Sequence, residues 1–380
     1  MKASSLHFSL SENSSDAIVN FDFEPDLLFV FADPEFFKIP TLINQIQDLY
    51  KNSVISGCSS AGQMVDSSYT LGYCTVTAVQ FDKTTLVQHS VEIPSVHESY
   101  KMGKELMRKF EFEGLKHILL FSEGMFINGD ELIRGVVGEL PEGVTVTGGL
   151  AGDNEHFKTT YVIDALGGFS TQAVSAIGFY GDSLKVSFAA VGGWDSFGIE
   201  REVTKAEGNI VFEIDGKPAL ELYKEYLGKE KSRELPGSAL QFPISVRFTS
   251  NDEPVIRTHH ILDEEDKSIT FSGNVYQGSK VRLMKANVDR LIDGAVTSAK
   301  NSKKDLGEHA IDFALIINCI GRKLVLKQYV DDEMEETLAV LGDNVPFSGF
   351  YSYGEIAPTA KYTNCQLHNQ TMTITLFSEN

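Results

Sequence analysis

Cys58, Ser59 and Ser60 lie between Gly57 and Gly62 in the stretch VISGCSSAGQM (54–64), which brings a thiol and two hydroxyls to a glycine-rich bend after a β-branched run. Side chains of these types supply the nucleophile of acyl transfer when a base lies within reach. The local context argues against it. Ser59 stands in G-x-S-x-A, whereas a hydrolase elbow has G-x-S-x-G. No histidine neighbours Cys58 in sequence, although such sets are assembled in space rather than along the chain. A second chemistry is open to the same stretch. A chain bending through glycine exposes backbone N–H groups and admits a ligand close to the main chain, so the bend can serve as a cradle.

Recurrence favours the cradle. Ser56-Gly57, Thr147-Gly148 and Ser348-Gly349 each close a strand-like run, and Gly62-Gln63, Gly152-Asp153 and Gly354-Glu355 follow them. The middle copy is one residue shorter, and Leu150 and Phe350 or Tyr351 occupy the place of the candidate nucleophile. A shared backbone feature with unshared side chains points to binding. Brought together, the bends would line one pocket with amides, with the hydroxyls of Ser59, Ser60, Tyr351, Ser352 and Tyr353, and with the carboxylates of Asp153 and Glu355.

The elements that must position these bends repeat as well. DLLFVFAD is an apolar run suited to a strand buried on both faces. It is followed by a helical pattern carrying Phe37, Leu42, Ile46 and Leu49, with Pro34 near its start, and then by SVISG. This strand–helix–strand order is a βαβ unit with parallel pairing. KHILLFSEG, GDELIRGVVGEL and GVTVTGGLAGD form a second unit, and DFALIINCIG, DEMEETLAVLG and NVPFSGFYSYGEI a third. Alternating strands (YTLGYCTVTAVQFD, TTLVQHSVEI, FSTQAVSAIGFYG, SLKVSFAAVGG) separate the units, and VRLMKANVDRLIDGAVTSAKN reads as one long helix. The expected fold is α/β, with repeated βαβ units, added antiparallel strands and mixed sheets in two domains. Residues 1–25 are expected to fray, 26–225 form the first domain, a charged stretch near 225–236 the boundary, and 236–380 the second.

Bulk properties limit the function. The chain has 380 residues, 42% hydrophobic, with a formal net charge of −20. Such acidity repels phosphate backbones and anionic lipid, so neither nucleic acid nor a membrane is an expected partner. No apolar run approaches the ~20 residues of a membrane span. Cys58, Cys74, Cys319 and Cys365 are scattered through strand-like runs, as buried thiols of a reducing cytoplasm would be. The run DDEMEE (331–336) reads as a solvated helix start, and adjacent His259 and His260 in a strand-like run point to opposite faces. No phosphate-loop, zinc-protease or CxxC signature occurs, so no metal set is selected and no enzyme is expected.

TKAEGNIVFEIDGKPALELYKEYL, NCIGR, FSGFYSYGEIAP and the closing LHNQTMTITLF resemble the FIST proteins, bacterial sensory proteins with N- and C-terminal FIST domains, and SGCSSAGQM and TGGLAGD resemble their N-terminal motifs. The resemblance implies reception of a small ligand, such as an amino acid or a derivative, and signalling in trans to a histidine kinase, a chemotaxis receptor or a cyclic-dinucleotide enzyme. It also admits haem-based nitric oxide sensing, for which His260 and His368 are the first positions to test. The implied ligand-site residues are Gly57, Cys58, Ser59, Ser60, Gly62, Gly149, Gly152, Asp153, Trp194, Arg322, Tyr351, Ser352, Tyr353, Gly354 and Glu355. Arg322 would grip a ligand carboxylate or pair with Glu355. Trp194 would stack on the ligand or join the core, and around it GGWDSFG departs from the family's GW-R-P-x-G pattern.

Overall fold

The computed structural model describes residues 1–380 apart from 10–18, 40, 236, 250–252, 343 and 359–364. Three parallel strand pairs organise it: Leu27–Ala32 with Val54–Ser59, Leu115–Ser122 with Thr145–Leu150, and Phe313–Cys319 with Phe347–Ser352. Each pair is the centre of a six-stranded sheet. On one side lies an antiparallel strand, respectively Tyr73–Gln80, Ala173–Tyr180 or Met372–Glu379, and beyond it Lys2–Ser9, Thr85–Glu92 or Leu184–Val191. On the other side lies a hairpin borrowed from another unit. Gln63–Val65 and Ser68–Thr70 of the first unit join the third sheet, Val162–Ile163 and Phe169–Ser170 of the second join the first, and Gly354–Pro358 and Cys365–His368 of the third join the second. The exchange is cyclic.

The recurring Ser/Thr-Gly pairs now have a cause. Gly57, Gly148 and Gly349 sit within strands rather than at the bends, each pressed on the carbonyl of its parallel partner. A Cβ at Gly57 would stand 2.0 Å from the Val30 oxygen, and one at Gly148 1.9 Å from the Leu120 oxygen. The preceding hydroxyls face the space between the sheets. Thr77 Oγ1 donates to Ser348 Oγ (2.9 Å) and Thr375 Oγ1 to Thr147 Oγ1 (3.0 Å). The corresponding position in the second unit is Ile177, which carries no hydroxyl, and Ser56 Oγ has no partner among the described residues.

Between the sheets, Phe29 and Phe31, Leu119 and Phe121, and Leu315 and Ile317 from the three units close one apolar core. Each large side chain so buried contributes about 1.5–3 kcal/mol. The outer faces are covered by the helices Thr41–Leu49, Ser99–Met107 with Gly129–Val137, and Val288–Leu306 with Val330–Leu341. Between the second and third units the chain builds a separate sheet from strands within 195–285, with its own core around Val203, Val211, Ile244 and Phe271. The stretch 225–236 belongs partly to that layer, through the helix Ala219–Arg233.

Four local expectations change. Lys2–Ser9 does not fray: it pairs over its whole length with Tyr73–Gln80, because an open sheet edge offers it a row of backbone partners. VRLMK is strand Lys280–Lys285, with Val281, Leu283 and Met284 buried, and the helix starts at Val288, where the Asn287 side chain accepts the Arg290 N–H. Leu49 is 59% exposed, while Ile43, Ile46 and Tyr50 are buried. Glu333 in DDEMEE is fully buried, since it shares a helix face with Val330, Met334, Thr337 and Leu341.

Candidate functional site where three bends converge

The carboxyl ends of the three parallel pairs meet, and the bends there interlock. Ser60 N–H donates to the Ala32 carbonyl, Gly152 N–H to Ser59, Ala61 N–H to Tyr351, Tyr351 N–H back to Gly62, and Tyr353 N–H to Leu150, all within 2.8–3.1 Å. Convergence is therefore real, but the bends grip one another. Ser59 Oγ donates to the Gly152 carbonyl (2.7 Å) and accepts Tyr161 N–H (2.9 Å), so it staples two units. Ser60 Oγ bonds within its own bend, to the Gly62 carbonyl (3.1 Å).

The polar residues after the second glycines are committed likewise. Gln63 accepts Asp33 N–H (2.8 Å) and donates to the Thr70 carbonyl (3.3 Å). Asp153 accepts the N–H groups of Phe157, Lys158 and Thr159 (2.7–2.8 Å) and the Tyr353 hydroxyl. Glu355 accepts Ser352 Oγ (2.6 Å), Thr371 Oγ1 (2.8 Å) and Thr371 N–H (3.1 Å). Burial pushes its carboxyl up to about 7, against the bonds that favour the charged form. Gly149 and Gly354 pair with Glu355 and Leu150 across the strand junction.

Three candidates lie elsewhere. Cys58 packs in the central core with Phe29 and Phe31, and burial holds its thiol well above the usual range, the reverse of nucleophile activation. Arg322 does not meet Glu355 or an open cleft. All five of its N–H donors are taken, by Glu333, by the carbonyls of Gln370 (3.3 Å) and Leu291 (2.6 Å), and by that of Gly192. Trp194 belongs to the same knot: its Nε1 donates to the Gln370 carbonyl (2.9 Å), and its ring packs on the outer core of the third unit.

Of the two histidines singled out for haem, His368 lies among the described side chains, in the second sheet. His368 Nε2 bonds the Ala357 carbonyl (3.0 Å), and burial lowers the ring to about 4. His259 is wedged between Tyr223 and Phe271. The side chain of His260 lies outside the described residues. Among the described residues no group of three or more His, Cys, Asp or Glu could hold a metal ion.

What the closed bends leave open is their rim. Lys323, next to Arg322 on the helix Ile320–Leu326, sends Nζ to the Ala61 carbonyl (3.2 Å) and Tyr69 Oη (2.9 Å), and its ammonium lies over the Tyr69 ring. Its one ion-pair partner among the described residues is Glu155, at 3.4 Å. The Lys323 side chain is 7% exposed and that of Glu155 59%. Burial lowers the Lys323 pKa, partly offset by Glu155. Beside them the exposed ring of Phe157 stacks on Tyr353, with centroids 4.7 Å apart. All three units thus contribute: Ala61 and Tyr69, Glu155 and Phe157, Lys323 and Tyr353. The sequence motifs do not single out Tyr69, Glu155, Phe157 or Lys323. The available signal was position, since Lys323 follows the end of a parallel strand and Glu155 follows the second bend.

Residues 26–217 match the FIST N domain and residues 219–358 the FIST C domain. The chain belongs to the FIST family. FIST domains are sensory domains of signal transduction. An uncharacterized protein of Methanocaldococcus jannaschii is 26% identical over 224 residues, covering 56% of this chain and 41% of that protein's length. Among solved structures, a cyanuric acid hydrolase from A. caulinodans aligns over 100% of this chain and 99% of its own at 7% identity, with a TM-score of 0.38. A second cyanuric acid hydrolase structure aligns over the same shares at 8% identity and a TM-score of 0.33. At these scores neither informs the function of this FIST protein. Among its described residues no helix is long and apolar enough to cross a membrane.

Proposed function

We propose that this FIST protein is a non-enzymatic cytoplasmic sensor, which binds a small amino-acid-like metabolite at the rim of the three bends and signals in trans to a partner such as a histidine kinase, a chemotaxis receptor or a cyclic-dinucleotide enzyme. The observation that carries the reading is Lys323: a cation withdrawn from water whose counter-ion is an exposed, replaceable carboxylate. A ligand carboxylate takes the place of Glu155 on Lys323, and the released Glu155 accepts the ligand's ammonium. The Phe157–Tyr353 stack borders its side chain. Because the rim draws on all three units, a ligand that prefers one arrangement of them shifts that equilibrium by its differential affinity, which is what a partner would read. The full commitment of Ser59 and the buried state of Cys58 support binding over acyl transfer. Four buried free thiols support a reducing compartment.

Titration calorimetry against a panel of α-amino acids and related carboxylates, on wild type and Lys323→Met, tests this. At least one member binds wild type and is weakened tenfold or more by the substitution. A silent panel, or binding indifferent to Lys323, overturns it.

A further inference from the structure

A cavity of about 650 Å³ lies at the other ends of the strands from the bends. Thr145, which lines it, begins the strand whose end, Leu150, enters the bend, a run of about 17 Å at ~3.3 Å per residue. The cavity opens between the second and third sheets. Val144 and Val146 come from one side, Val186 and Phe188 from the outermost strand of the third sheet, and Pro358 and Cys365 from the borrowed hairpin. Its volume is that of a small-molecule site, and so is its lining, apolar walls with few polar groups. The charged residues lining it are Glu142 and Asp305, both exposed, and no lysine or arginine does so among the described residues. Ser187 is engaged elsewhere, donating to the Ser302 carbonyl (2.8 Å).

We propose that this cavity is a second ligand site, independent of the rim, for a small amphiphile with an apolar body and a cationic head. Valine, phenylalanine and proline walls take the body out of water. The exposed carboxylates of Glu142 and Asp305 attract an ammonium and repel a carboxylate, and the net charge of −20 acts in the same sense. Fatty acids and other anionic amphiphiles are therefore rejected on charge, not on size.

Octylamine, octanol and octanoate, equal in chain length, separate charge from apolar burial. Displacement of the fluorophore 1-aminoanthracene from the full-length protein reads their binding. N-ethylmaleimide labelling followed by mass spectrometry reads protection of Cys365, which is 8% exposed, against Cys58 and Cys74 at 0% and Cys319 at 4%. The expected result is saturable octylamine binding at least tenfold tighter than octanoate, with octanol between them, and octylamine slowing the labelling of Cys365. Val186→Trp fills the cavity and weakens octylamine tenfold or more, and Glu142→Gln with Asp305→Asn, on the open surface, reduces the amine-to-carboxylate preference to threefold or less. Lys323→Met leaves octylamine binding unchanged, which keeps this site distinct from the rim. Absence of saturable octylamine binding, octanoate binding as tightly, or octylamine affinity unmoved in both cavity variants overturns the proposal.

Discussion

Arg322 and Lys323 are sequence neighbours on one short helix, and they are used in opposite ways. Arg322 is fully buried, and its five donors end on a buried carboxylate and three carbonyls, from segments as distant as Gly192, Leu291 and Gln370. Lys323 is nearly as withdrawn, yet its charge is balanced by one exposed glutamate. The difference follows from the side chains. A planar guanidinium can satisfy a ring of fixed acceptors, whereas an ammonium on a flexible stem tolerates an exchange of partner. A cation held by fixed acceptors organises a fold, and one with an exchangeable counter-ion can recognise a guest.

The largest effect should come from breaking the saturated side. Glu333→Ala leaves Arg322 and the Asn318 amide without their carboxylate and should cost about 3–5 kcal/mol in denaturant unfolding. A loss below about 1 kcal/mol would show that Arg322 is not the pin the geometry describes. Glu355 sharpens the comparison from the acid side, because hydroxyls, an amide and the Cys319 thiol bond it, and among the described residues no cation pairs with it. Its carboxyl, raised from 4.5 to about 7, holds a proton in the folded state that the unfolded chain releases. That contribution is complete below the unfolded value and is lost as pH rises through 7. Glu355→Gln imitates the protonated form, so its stability relative to wild type should grow between pH 5 and 8, by up to about 3 kcal/mol. Melting curves of the two proteins across that range check the sign, and a gap that narrows with rising pH contradicts it. The smallest effect belongs to Lys323→Met. With an exposed partner and a lowered pKa, its loss should shift unfolding by no more than about 1 kcal/mol while weakening rim binding tenfold or more. A loss as large as that of Glu333→Ala would place Lys323 on the structural side.

Much of this was legible. Continuous apolar runs such as LLFVFA and FALIINC identify strands buried on both faces, and the repeated glycine pairs identify three equivalent junctions. What the pattern could not carry is which sheet a hairpin joins, because backbone pairing is blind to the unit that supplies the strand. For the same reason the first glycines read as bends, although they answer a close approach between parallel strands. For Arg322 the sequence offers a ligand carboxylate or Glu355 and misses the true acceptors, which lie 31 to 130 residues away or, for Glu333, within a run that looks solvated. Placed on the helix Val330–Leu341, Glu333 falls on the apolar stripe, and a wheel of that helix would have exposed it.

The cyclic loan of hairpins has one more consequence. The third sheet needs Gln63–Val65, Ser68–Thr70 and Leu184–Val191, all from the FIST N region, while the second needs Gly354–Pro358, from the FIST C region, and Cys365–His368, which follow it. Severing the chain near residue 218 would strip every half of strands it cannot replace and leave raw edges open to aggregation. The FIST N and FIST C domains are thus joined through sheets that both supply, and each completes the other's edges.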